Sequence, residues 1–111
     1  PKAHSRGMLF VETSNLTASI TKTLSDEEYR HLQLSLLLRP DAGAIMKASG
    51  GIRKVRWGAG TSGKRGGVRI IYYWDSGDAI YMLYAYKKGK QEDLSPKQLS
   101  QLRTYVEDYL K

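Results

Sequence analysis

Three stretches rich in β-branched and aromatic residues follow one another in the second half of the chain: "IRKVRW" from Ile52, "VRIIYYW" from Val68 and "AIYMLYAY" from Ala79. Runs of this composition, separated by glycine-containing connectors, pair as strands. The connector "DSGD" is short and carries Gly77, which predicts a hairpin between the last two runs. The connector "GAGTSGKRGG" is longer, glycine-rich and cationic, and is expected as an exposed loop. A sheet this small must bury one face against helices to be stable.

The helices are legible on both sides of these strands. In "SDEEYRHLQLSLLLRP", Ser25 followed three residues later by Glu28 is a capping box, acidic residues fill the first turn, and Tyr29, Leu32 and Leu36 recur at helical spacing until Pro40 closes the run. In "SPKQLSQLRTYVEDYLK", Ser95 is an N-cap with Pro96 at the first helical position, and Leu99, Leu102, Val106 and Tyr109 or Leu110 form an apolar stripe. Leu9 to Glu12 reads as a first strand, "LTASITKTL" as a short helix, and "DAGAIMKASGG" as a loop with at most a turn of helix. The chain is therefore expected to be α+β, a small antiparallel β-sheet with N-terminal helices and a C-terminal helix packed on one face of it. With 111 residues it reads as a single domain over 8–111, preceded at 1–7 by "PKAHSRG", an expression remnant or disordered tail.

Charge is unevenly placed. Between Asp41 and Asp75 there is no acidic residue, while Lys47, Arg53, Lys54, Arg56, Lys64, Arg65 and Arg69 all lie in that interval, matching the formal net charge of +7. Such a concentration attracts nucleic acid, an acidic protein or an anionic surface. Cysteine is absent and the two histidines are far apart in sequence, which argues against a structural zinc site. No apolar run approaches the roughly 20 residues that span a bilayer, so a soluble, cytoplasmic protein without membrane attachment is expected.

Strand alternation assigns the cations to a face. In "IRKVRW", Val55 and Trp57 want the core, which sends Lys54 and Arg56 to the opposite side and leaves Arg53 at the strand start. In "VRIIYYW", Arg69 shares a face with Ile71 and Tyr73. A simple antiparallel register then sets Arg69 beside Lys54 and Arg56 on an open face of the sheet. "YAYKKGK" adds Tyr84, Tyr86, Lys87, Lys88 and Lys90. Guanidinium and ammonium groups with interleaved phenols suit RNA, since cations grip phosphate oxygens and rings stack on unpaired bases.

RNA carries its own nucleophile in the 2′-hydroxyl, so scission needs alignment, proton transfer and stabilisation of a negatively charged phosphorane. Cations supply the last of these. No imidazole is placed to serve as base, because His31 belongs to the amphipathic helix, and a lysine or tyrosine brought down by neighbouring cations is the alternative. No P-loop, carboxylate metal cluster or nucleophile elbow is present, and no cofactor or metal is called for.

"SDEEY", "GGIRKVRW", "GKRGGVRIIYYW" and "YAYKKGKQEDLSPKQ", in this order, resemble the HigB branch of the RelE/ParE superfamily of bacterial toxins. The resemblance covers nearly the whole chain from Met8. It implies a RelE-like fold and a toxin of a type II toxin–antitoxin system. It further implies metal-independent cleavage of messenger RNA in the ribosomal A site and inhibition by a HigA-like, helix-turn-helix antitoxin. The family's basic strand pair corresponds to Lys54 and Arg56, its phosphate-contacting strand arginine to Arg69, and its cation after the last strand to Lys88. RelE's tyrosine in the last segment falls near Leu94 here, leaving Tyr86 or Tyr84 as substitutes. Arg53, Lys64, Arg65, Tyr84, Lys87 and Lys90 are expected to bind RNA or the ribosome. A gyrase inhibitor of ParE type and a non-catalytic RNA- or antitoxin-binding module are the alternative readings.

Overall fold

The computed structural model describes residues 9–58, 67–75, 79–91 and 93–111. The expected tail at 1–7 and the loop cations Lys64 and Arg65 lie outside the described residues. Strand β1 (Leu9–Glu12) leads into helices α1 (Ser14–Ile20) and α2 (Asp26–Leu38). Strands β2 (Ala44–Ile45), β3 (Arg53–Trp57), β4 (Val68–Asp75) and β5 (Ala79–Lys87) follow, and the chain closes with α3 (Pro96–Tyr105), whose continuation over Val106–Leu110 widens to π-helical geometry. The five-stranded sheet has the order β1-β5-β4-β3-β2.

Local chemistry sets the helix starts. Thr13 Oγ1 accepts the Leu16 amide at 3.2 Å to begin α1. Ser25 and Glu28 close a reciprocal capping box on α2, and Ser95 and Gln98 do the same on α3 behind Pro96. The α2 box matches the sequence reading; Gln98 as the second half of the α3 box went unnoticed there.

Two features of the sheet differ from expectation. β1 pairs with β5 in parallel, Leu9 opposite Ala79 through Glu12 opposite Met82, so the sheet is mixed, with antiparallel pairing elsewhere. In addition, "DAGAIMKASGG" supplies a two-residue edge strand, Ala44 and Ile45 opposite Lys54 and Arg53. Gly43 is what lets this edge close in: a Cβ there would stand 2.9 Å from the Tyr72 ring and 3.0 Å from the Lys54 carbonyl oxygen.

The larger correction concerns the helices, which take both faces of the sheet. Phe10, Leu16, Ile20, Leu24, Leu32, Leu36, Val68, Ile70, Tyr72, Ile80, Met82 and Ala85 form one buried cluster under α1 and α2, flanked by Val55, Trp57 and Trp74. Ile52, Ile71, Leu83, Tyr86, Leu102 and Val106 form a second under α3, with Leu110 packed against it while Tyr109 is exposed. The reason lies in β4 and β5: Ile70 and Ile71, and Met82 and Leu83, are neighbours in sequence and all are fully buried, so neither face of the central pair can be left to water.

A β-bulge between β4 and β5 makes this possible. The register passes from Ile71 opposite Tyr84 to Tyr72 opposite Met82, which leaves Leu83 as the extra residue. Met82 and Ala85 thus face α1 and α2, while Leu83, Tyr84 and Tyr86 face α3.

Tyr72 ties the edge strand to the core. Its hydroxyl donates to the Pro40 carbonyl at 2.7 Å and accepts the buried Gly43 amide at 2.8 Å. Burial, ahead of all other influences, raises its pKa. Replacing Tyr72 by Phe should therefore cost about 1–3 kcal/mol, chiefly from the stranded Gly43 amide, read as a lower urea midpoint with an unchanged m-value.

Candidate functional site

The second face of the sheet is only partly occupied by α3, and the cations stand on the part it leaves. Arg56 on β3 is directly opposite Arg69 on β4, which is directly opposite Tyr86 on β5. The adjacent row runs Lys54, Ile71, Tyr84. Lys54, Arg56, Arg69, Tyr84 and Tyr86 are thereby gathered on one face, as the alternation in the sequence requires. The face is less open than expected. Arg69 is only 7% exposed, whereas Arg56 is exposed and Lys54 intermediate.

Lys88 is exposed just beyond the end of β5, where its amide donates to the Gly67 carbonyl at 3.0 Å. That bond holds it next to the start of β4, one residue from Val68 and two from Arg69. Lys87 and Lys90 are exposed in the same turn, closed by the Lys90 amide on the Lys87 carbonyl at 3.0 Å.

Arg53 is elsewhere. It shares the opposite face with Val55 and Trp57; its guanidinium donates to the Gly43 carbonyl at 2.7 Å and lies 5.7 Å from the Trp74 ring centroid. A side chain committed to the β2 edge and to a cation–π contact is structural in character, which separates it from Lys54 and Arg56.

A residue that the sequence reading passed over sits among the cations. Asp93, in the short segment before the Ser95 cap of α3, accepts through Oδ1 from Lys54 Nζ at 3.1 Å, from the Tyr86 hydroxyl at 3.2 Å and from the Leu94 amide at 2.8 Å. Three donors on one oxygen hold its pKa below the usual carboxylate range: partial desolvation, which pushes upward, is outweighed by the Leu94 amide, then Lys54, then Tyr86. The signal in the sequence was a carboxylate placed between a run of lysines and a helix cap, but its reach to β3 depends on tertiary structure. The Lys54–Asp93 pair is half-exposed and contributes little to stability by itself.

Tyr86 responds in the opposite sense to what the cationic surroundings promised. Its pKa is pushed up to about 12, first by burial, then by the charge and hydrogen bond of Asp93, with Arg69 opposing. The phenol thus keeps its proton at neutral pH and acts as a hydrogen-bond donor. Tyr84 leans on it, ring centroids 6.0 Å apart, and donates its own hydroxyl weakly to Gln91 at 3.4 Å.

Arg56 against Arg69 is the decisive electrostatic feature. Like charges directly opposite on a sheet are unfavourable, and a nearly buried guanidinium adds a desolvation cost. Among the described residues, no three His, Asp or Glu side chains converge as a metal cage would require, and no helix is long and apolar enough to cross a membrane.

A sequence model of the family described as "RelE toxin of RelE / RelB toxin-antitoxin system" matches residues 16–111. The chain belongs to the RelE toxin family. A RelE-family chain is the toxin of a toxin–antitoxin system, and its partner is an antitoxin. The α+β architecture with a five-stranded sheet is consistent with the RelE-like fold expected from the sequence.

Asp93→Asn in this RelE-family toxin should bring the Tyr86 phenol down from about 12, read as the difference between wild-type and variant tyrosinate absorbance during alkaline titration. The sign for stability follows. Because the folded pKa lies above the ordinary tyrosine value of 10.0, the contribution of Tyr86 is complete below about pH 10 and is lost as pH rises towards 12. For Asp93, whose folded pKa lies below 3.8, the contribution is complete above that value and is lost on further acidification.

Proposed function

We propose that this RelE-family toxin is a HigB-type endoribonuclease that cuts messenger RNA in the ribosomal A site and so halts translation in the cytoplasm. The observation that carries the reading is the cross-strand Arg56–Arg69 pair with Lys54 in the adjacent row, a fixed concentration of positive charge on a rigid sheet. Such a surface suits a reaction whose transition state gathers negative charge on phosphorus oxygens. Resemblance to the superfamily supports the same residues in the same roles.

In this reading the RNA 2′-oxygen attacks the adjacent phosphorus while the bond to the 5′-oxygen breaks, leaving a 2′,3′-cyclic phosphate and a 5′-hydroxyl. Arg69 and Arg56 hold the non-bridging oxygens through the crowded intermediate. Lys54 and Lys88 flank them, and the exposed Lys88 ammonium gives its proton to the departing 5′-oxygen and regains one from solvent. Tyr86, with its proton retained well above neutral pH, donates a hydrogen bond and does not act as a base. The 2′-hydroxyl proton passes to solvent as the bond to phosphorus forms, while Asp93, its proton affinity lowered by three donors, holds Lys54 and Tyr86 in place. No metal takes part.

The antitoxin in this reading is HigA-like, with a helix-turn-helix segment, and an acidic stretch of it competes with RNA for the same face. A complex in which Lys54, Arg56 and Arg69 stay as accessible as in the free toxin would remove that competition from the account.

The cleavage itself is tested in a reconstituted translation reaction with a defined messenger, its ends mapped by primer extension. Wild-type protein should produce ribosome-dependent cuts, and Arg69→Ala should lower their rate by at least about a hundredfold, as loss of one oxyanion-stabilising donor does elsewhere. Arg69→Lys, which keeps the charge but not the planar fork, should recover part of the rate. Intact messenger and unhindered translation with folded wild-type protein would end the RNase reading and turn attention to gyrase.

A further inference from the structure

β1 accompanies β5 only as far as Met82, and the chain then turns through Thr13 into α1. The second half of β5 is therefore an uncovered sheet edge, partly closed by the end of α1, where the Ala85 amide donates to Ser19 Oγ at 3.1 Å. Between this edge and the end of α1 lies a recess of about 410 Å³. Lys22 lines it from just beyond α1, Lys87 and Lys90 from the end of β5 and its turn, and Tyr84 and Tyr86 from the strand itself.

Three features of the recess point to the same occupant. Lys22, Lys87 and Lys90 are all exposed, and none has an ion pair to a described carboxylate. Three ammonium groups from two separate elements repel one another unless an anion lies between them. Tyr84, half-buried with its ring braced by Tyr86, borders the recess from the α3 side of β5 and brings an aromatic residue next to that charge. Finally, Tyr86 belongs both to this recess and to the row that contains Arg56 and Arg69, so the two sites are contiguous. A recess of this size that combines a ring with clustered point charges fits a base and its phosphate better than an acidic peptide, which has no use for the ring.

We propose that the recess is a nucleotide subsite that receives one unpaired nucleotide of the RNA strand lying across Arg56 and Arg69, with its base on Tyr84 and its phosphate among Lys22, Lys87 and Lys90. Lys22 is the new member of the binding surface; nothing in the strand pattern pointed to it, since it follows a helix on the far side of the sequence. The inference rests on the RNA-cleavage reading and deepens it by giving the strand a second anchoring point away from the scissile phosphate.

The test uses a short fluorescein-labelled single-stranded RNA, blocked against scission by a single 2′-deoxy position, in anisotropy titrations at several salt concentrations. Lys22→Ala should weaken binding roughly tenfold, and should make the slope of log K against log salt shallower by about 0.7, one phosphate contact on a single strand. Tyr84→Leu should weaken binding by a similar factor without altering the slope, since stacking carries no counterion release. Thermal melting of both variants checks that the fold is retained. Affinity and slope equal to wild type in Lys22→Ala, with binding still weakened by Arg69→Ala, would overturn the subsite and leave the cleavage reading standing. Loss of antitoxin affinity in Lys22→Ala with RNA binding intact would assign the recess to an acidic protein segment and also overturn it. Wild-type protein that neither binds this RNA nor cuts messenger would take down both.

Discussion

The arrangement of the whole molecule depends on the two-sided burial of the β4–β5 pair. Ile70 and Ile71 on β4, and Met82 and Leu83 on β5, stand next to each other in sequence and face opposite ways, all without solvent exposure. Hydrophobic burial therefore demands a layer on each side, α1 and α2 on one and α3 on the other. Once both faces are covered, a polar site has few places left. It forms where α3 stops short, over the outer strands and at the sheet edge that β1 does not reach.

Within that remaining area, charge placement works against stability. Arg56 opposes Arg69 across the ladder, and Arg69 is nearly buried. A fold selected for stability alone would place a neutral or acidic residue at one of these positions. Asp93 contacts Lys54 and Tyr86 and leaves the arginine pair to other partners. Like charges so placed are tolerable because they are held by strands, whose positions the two cores determine.

Much of this was legible before the structure. The capping box at Ser25, the Ser95–Pro96 start of α3 and the side taken by Lys54, Arg56 and Arg69 all follow from patterns a few residues long. The misjudged features depend on contacts distant in sequence. "VRIIYYW" is nearly continuous in apolar residues, the pattern of a strand buried on both faces, but alternation around Arg69 drew it towards a one-sided reading. β2 escaped because two residues flanked by Gly43 and Met46 carry no periodicity, and its existence rests on Tyr72 and Arg53 reaching back to Gly43. Asp93 reaches Lys54 and Tyr86, and Lys22 reaches the recess beside β5, through folding alone, one from the segment ahead of α3 and one from the end of α1.

The bulge at Leu83 has a further meaning for how such a chain can change. It breaks β5 into two stretches whose inward and outward positions are out of step, joined by one extra residue. The first stretch, from Ala79 to Met82, answers to the core and to β1; the second carries Tyr84, Tyr86 and the lysines beyond. Because the pleat restarts at the bulge, packing under β1 can be altered by substitution, or by loss of the extra residue itself, without rotating the tyrosines away from the arginines. The strand behaves as two modules in tandem, one held between β1 and the core under α1 and α2, the other carrying the tyrosines that pack under α3.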